Sequence, residues 1–200
     1  MRMVATRLAP AALLLLLACQ PRTAPPIYSP WEEGLTLTFE NPSQPQPQRA
    51  EERVQVRVAR STMAPGSPGL VQLDMTSTRG RRSLLLRHKD GGIELVSESG
   101  QVLATPFPTR FPDLAPWLDH GTEVQVLGRA RWEGAAMLPS TSNAIGVWVE
   151  ARPPQEPRRR TLYLPDLGEV EALEERNGGW VVVNRLVAHG FTDLPLHKRS

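Results

Sequence analysis

The chain has 200 residues, 40% hydrophobic and 22% charged, with a formal net charge of +2 and a single cysteine. That length suits one domain with a sizeable core, and one cysteine excludes an intramolecular disulfide. Arg2 and Arg7 belong to a segment read below as removed, which leaves 21 basic against 21 acidic residues. Such a balance offers no global field for nucleic acid or an anionic membrane.

In chain order, Arg2 and Arg7 precede the apolar stretch from Leu8 to Ala18, interrupted only by Pro10. The stretch is long enough for the apolar region of an export signal, but short of the roughly 20 residues a membrane-spanning helix needs. It ends in Leu16-Leu17-Ala18-Cys19. On those four residues the chain resembles a bacterial lipoprotein precursor. The resemblance implies diacylglyceryl transfer to the Cys19 thiol, cleavage before Cys19 and acylation of the new amine. A thiolate is the nucleophile suited to forming that thioether. Gln20 follows, where aspartate is the retention residue of enteric inner-membrane lipoproteins. The resemblance therefore implies the periplasmic face of an outer membrane.

Pro21 to Pro30 holds four prolines and reads as an extended tether. Leu35 to Phe39 alternates with period two and predicts a short strand. Asn41 to Gln48 reads as a low-complexity loop, and the ordered body is expected to begin near Glu51. Val54, Val56 and Val58 predict a half-buried strand over 53–60, followed by strands over 70–77, 83–88, 93–97 and 101–105. Arg79-Gly80-Arg81-Arg82 is expected to be a turn. Lys89-Asp90-Gly91-Gly92 is a hairpin signal, because glycine supplies positive φ.

Four prolines between Pro106 and Pro116 interrupt the rhythm, with one helical turn expected over 113–118. Glu123 to Trp132 is the longest alternation, and Ile145, Val147 and Val149 mark the next strand. Thr161 to Leu164 follows. Leu167 to Arg176 has helical spacing, but Asn177-Gly178-Gly179 before Trp180-Val181-Val182-Val183 favours a hairpin. The last strand is expected over 180–188.

The sum is an all-β domain: an antiparallel sandwich or curled half-barrel of about ten short strands. The expected organisation is a signal over 1–18, a lipidated tether over 19–50 and a β domain over 51–197. The segment Tyr163-Leu164-Pro165-Asp166-Leu167-Gly168-Glu169-Val170, followed by a hairpin, is similar to the terminal hairpin of half-barrel envelope proteins such as the lipoprotein-carrier group. That resemblance implies an apolar concave face.

Chemistry is sparse. His88, His120, His189 and His197 are never within four residues of one another, so no local metal-ligand pair exists. His88, beside a hairpin, and His197 read as solvated. Asp119-His120 reads as turn chemistry, and Ser140-Thr141-Ser142 lacks any nucleophile motif. Asp166 and Glu169 are a carboxylate pair only if the fold brings them together. Arg79-Arg81-Arg82 and Arg158-Arg159-Arg160 are basic clusters that read as solvated loops. Trp148 is expected opposite the Val147 and Val149 face, free to stack on a ligand or a loop.

No cofactor, metal or catalytic residue is expected, and Cys19 is the one site residue assigned. The expectation is a non-enzymatic envelope lipoprotein with a binding or structural role. Its partners would be the membrane, through the anchor, and an envelope protein or lipid. The alternatives are a lipid or lipoprotein carrier, or an envelope hydrolase using Asp119, His120 and Ser140 to Ser142.

Overall fold

The computed structural model describes residues 28, 31–63, 69–89, 92–107, 116–119, 121–134 and 144–191. Cys19, the signal, His120, Ser140 to Ser142 and His197 lie outside the described residues. Among the described residues twelve strands form one sheet, and one short helix, α1 (Gln48–Glu51), accompanies them. The strands are β1 (Leu35–Glu40), β2 (Val54–Ser61), β3 (Gly69–Ser77), β4 (Gly80–Lys89), β5 (Gly92–Val96) and β6 (Val102–Phe107), then β7 (Trp117–Asp119), β8 (Thr122–Arg131), β9 (Ile145–Arg152), β10 (Arg159–Leu164), β11 (Gly168–Arg176) and β12 (Gly179–Phe191).

Their order across the sheet is β6-β5-β4-β3-β2-β1-β12-β11-β10-β9-β8-β7, and each described pairing is antiparallel. The molecule is thus two meanders, β1 to β6 and β7 to β12, joined where the first strand pairs with the last. The sheet curls until its edges, β6 and β7, approach each other in a nearly closed barrel. This is the curled all-β form of the sequence reading.

Period-two alternation builds the interior. Leu35, Leu37 and Phe39 of β1 are buried at 4%, 2% and 6% exposure. They pack with Val56, Val58, Val71, Leu73, Leu162, Leu164, Val170 and Leu186. Each such burial contributes about 1.5–3 kcal/mol. A second cluster joins Tyr28, Ile93, Val124, Val147 and Val149, and Leu86 touches both.

β1 is not an appendage on a tether: it lies between β2 and β12 and holds the two meanders together. The folded body therefore reaches back to Tyr28 rather than starting near Glu51, because Tyr28 and Trp31 are packed into the two clusters. The turn between β3 and β4 is confined to Ser77 to Gly80, so Arg81 and Arg82 are strand residues, paired with Thr76 and Met75. Of the helical turn expected over 113–118, residues 113–115 lie outside the described residues, and Trp117 and Leu118 belong to the strand β7, paired with the start of β8. Leu167 to Arg176 resolves as the hairpin arm β11, with Asn177 at φ 52° and Gly178 at φ 79° in the turn to β12.

Candidate functional site

Cross-strand register decides what lines the concave face. Leu37 pairs with Val56, Val56 with Met75 and Met75 with Arg82, so one row runs apolar for three strands and ends in a guanidinium. Phe39 opposite Val54, and Leu73 opposite Leu84, form the flanking rows. The facing wall carries Leu167, Val183, Asn184, Arg159, Glu169, Glu174 and Arg176, and the space between is a groove of about 510 Å³. That falls within the usual range for small-molecule sites, about 300–1,000 Å³. A hollow of about 460 Å³ continues from it along the Ser77 to Arg82 hairpin, sharing Phe39, Val54, Met75 and Arg82.

The polar part of the wall is internally satisfied. Glu169 Oε1 accepts hydrogen bonds from Arg159 at 3.0 Å and Asn184 at 2.7 Å, and Arg176 pairs with Glu174 at 2.7 Å. Arg82 is exposed at the mouth and has no ion pair among the described residues. The groove thus offers an apolar floor, one open cation and compensated charges elsewhere. An apolar chain with an anionic or strongly polar head matches that distribution.

The face of β9 and β10 opposite Arg159 carries charge in a different arrangement. Glu150 is 1% exposed, yet it is a carboxylate. Its Oε1 accepts from Arg152 Nε at 2.8 Å, its Oε2 from Arg160 Nε at 2.7 Å, and Arg158 approaches to 3.8 Å. Arg160 lies over the Trp180 ring at 4.0 Å, and Arg158 forks onto Glu175 at 2.5 and 2.6 Å. Burial pushes the Glu150 carboxyl up, but the hydrogen bonds and charges of Arg152 and Arg160 outweigh it and hold the carboxyl below its ordinary value.

Arg158-Arg159-Arg160 is therefore not a solvated basic loop. Each of the three meets a glutamate on a neighbouring strand, and β10 alternation sends Arg159 to the groove and Arg160 to the opposite face, which it shares with Glu150, Trp148 and Leu162. Asp166 and Glu169 are not brought together: Asp166 accepts from Trp31 Nε1 at 2.9 Å, while Glu169 lines the groove. Trp148 packs partly buried against the first core cluster. Among the described residues no three His, Cys, Asp or Glu side chains converge to hold a metal, and no helix is long and apolar enough to cross a membrane.

His88 also departs from expectation. It is 4% exposed, because Leu84, Leu86 and His88 share one phase of β4 and all point inward. Burial lowers its pKa from 6.5 to about 4. An unfolded chain gains this proton near pH 6.5, whereas the folded chain does not until about pH 4. The histidine's contribution to stability is intact above pH 6.5 and is lost progressively down to about pH 4, about 3 kcal/mol in all. Urea titrations at stepped pH should show a loss over this window that His88→Leu removes. An identical pH profile in the variant would refute the assignment.

No family model matches the chain, and no curated protein matches it. Two solved structures resemble it. One is a Bacteroides fragilis protein of YmcC-like fold, taken to be exported. It is 13% identical, covers 83% of this chain and 100% of its own, and has a TM-score of 0.49. The other is a Parabacteroides distasonis protein taken to be a lipoprotein. It is 11% identical, covers 82% of this chain and 99% of its own, and has a TM-score of 0.47.

Proposed function

We propose that this chain is an envelope lipoprotein, anchored through acylated Cys19, whose barrel is a non-enzymatic binding domain for an amphipathic ligand such as a single-chain lipid. The observation that carries the binding reading is the groove of about 510 Å³, with Leu37, Phe39, Val54, Val56, Leu73, Met75 and Leu84 on its floor and Arg82 at its mouth. An acyl chain removed from water there gains about 25 cal/mol per Å², and Arg82 offers the head a charge-assisted hydrogen bond. Carrier and storage roles both start from this complex. The placement at the periplasmic face of an outer membrane rests on Gln20 alone.

Native mass spectrometry of the mature protein mixed with palmitoyl lysophospholipid tests the reading. One lipid per chain is expected. Met75→Trp, which fills the floor, should weaken binding at least tenfold, and Arg82→Glu should weaken an anionic head more than a zwitterionic one. Unchanged binding in Met75→Trp would reject the groove as the site.

A further inference from the structure

Antiparallel pairing gives the barrel two distinct rims. One rim collects the start of β1, the end of β2, the start of β3, the start of β9 and the end of β12. The groove lies toward the other, beside the β3–β4 hairpin and Arg176. Trp31 and the start of β1 lie at the first rim: Trp31 donates to Asp166 in the β10–β11 turn, and Leu35 opens β1. Only nine residues of sequence take Cys19 to Tyr28, a reach of about 30 Å at full extension. A leash this short keeps the barrel against whatever Cys19 is fixed in, and Trp31 and the start of β1, the described segments nearest to it in sequence after Tyr28, lie at the first rim.

That rim also exposes apolar side chains. Phe191 on β12 is 62% exposed, Ile145 on β9 is 59% and Leu70 on β3 is 41%. In the strand order, β3 and β9 each lie three strands from β12, on opposite sides. With about 4.8 Å between strands, Phe191 sits about 14 Å along the rim from each of the other two, with the start of β1 between it and Leu70. Arg60 and Arg131 are outnumbered there by Glu32, Glu33, Glu133 and Asp166, so the rim fits a zwitterionic surface through its apolar side chains rather than an anionic one through charge. We infer that this rim rests on the bilayer surface, with Phe191, Ile145 and Leu70 as three apolar feet in the interfacial layer, and that the groove mouth consequently opens away from the membrane. Apolar side chains beside a lipid anchor add to its hold on the bilayer, as buried apolar area does for interfacial elements generally.

The inference rests on the lipidated-Cys19 reading, and the experiment separates the two. Single cysteines at Phe191→Cys, Ile145→Cys and Leu118→Cys are labelled with bimane in the full acylated chain, reconstituted in phosphatidylcholine liposomes with or without a nitroxide-headgroup lipid. Leu118 is a control of equal apolarity: it is 75% exposed and lies at the groove-side rim. Quenching by the nitroxide lipid and a blue-shifted emission at 191 and 145, with neither at 118, is the expected result. Liposome-bound protein whose labels at 191 and 145 emit as in water, or are quenched no more than the label at 118, overturns the docking. So does a blue shift that depends on protein concentration but not on the nitroxide, which would assign the rim to a second copy. Protein that does not float with liposomes at all refutes the anchor instead.

Discussion

Glu150→Ala should destabilise the barrel by about 2–3 kcal/mol. Removing one partner of a buried ion pair typically costs about 3–5 kcal/mol, because the opposite charge is left buried without compensation. Here the shell is thinner than the fully closed carboxylate suggests. Arg152 and Arg158 retain 42% exposure and Arg160 retains 35%, so water recovers part of their charge in the variant. Arg160→Ala combined with Glu150→Ala should cost less than the sum of the two singles, since they share one contact. Both are read by urea denaturation at pH 7. A Glu150→Ala loss under about 0.5 kcal/mol would give the cluster the weight of an exposed surface pair.

The pH dependence has a definite sign. The folded Glu150 carboxyl titrates below its ordinary 4.5, so its contribution is complete above that value and is lost as pH falls through the lower folded value. The difference between wild type and Glu150→Ala should be flat from pH 7 to about 5 and shrink below it. The His88 loss spans about pH 6.5 to 4 and therefore precedes it, so acid denaturation should begin with the histidine. Exposed pairs such as Arg53 with Glu40, the arginine 52% exposed, should contribute about 1 kcal/mol or less.

The strands were legible because a sheet with one buried face writes itself as alternation: Val54, Val56 and Val58, or Val71, Leu73 and Met75. What alternation cannot carry is partnership. Nothing in Leu35 to Glu40 says that it pairs with Arg185 to Phe191 some 150 residues later, so β1 read as an ornament of the tether when it joins the two meanders. Charges suffered more. Glu150 meets Arg160 only through the β9–β10 register, and several registers shift at bulges, as between Leu162 and Tyr163 or Ala172 and Leu173. A reader of the sequence sees an arginine triplet; the fold distributes it over two faces and three glutamates. For His88 and Arg82 the signal was present. Both share the phase of Leu84 and Leu86, which places His88 in the interior and Arg82 at the groove mouth. The deeper obstacle was the groove itself, whose walls come from β1–β4 and β10–β12 and face each other only after the sheet has curled.

Cys19→Ala should detach the protein from the membrane without touching its stability. The variant loses the thiol on which diacylglyceryl transfer depends, so palmitate label present in wild type should be absent. Among the described residues the packing begins at Tyr28, nine positions after Cys19. The barrel's Tm should therefore match that of wild type freed of its anchor in detergent. The size of the localisation effect follows from chain arithmetic. A single acyl chain holds a protein marginally and two or more hold it durably, so wild type should need detergent for release. The variant should appear as uncleaved precursor or as soluble protein, because three apolar rim residues cannot replace acyl chains of about 0.8 kcal/mol per methylene. Glu150→Ala should do the reverse, lowering the Tm while leaving palmitate label and membrane fractionation intact. Label retained in Cys19→Ala would overturn the anchor assignment. A lowered Tm in Cys19→Ala would instead mean that the segment before Tyr28 belongs to the folded barrel.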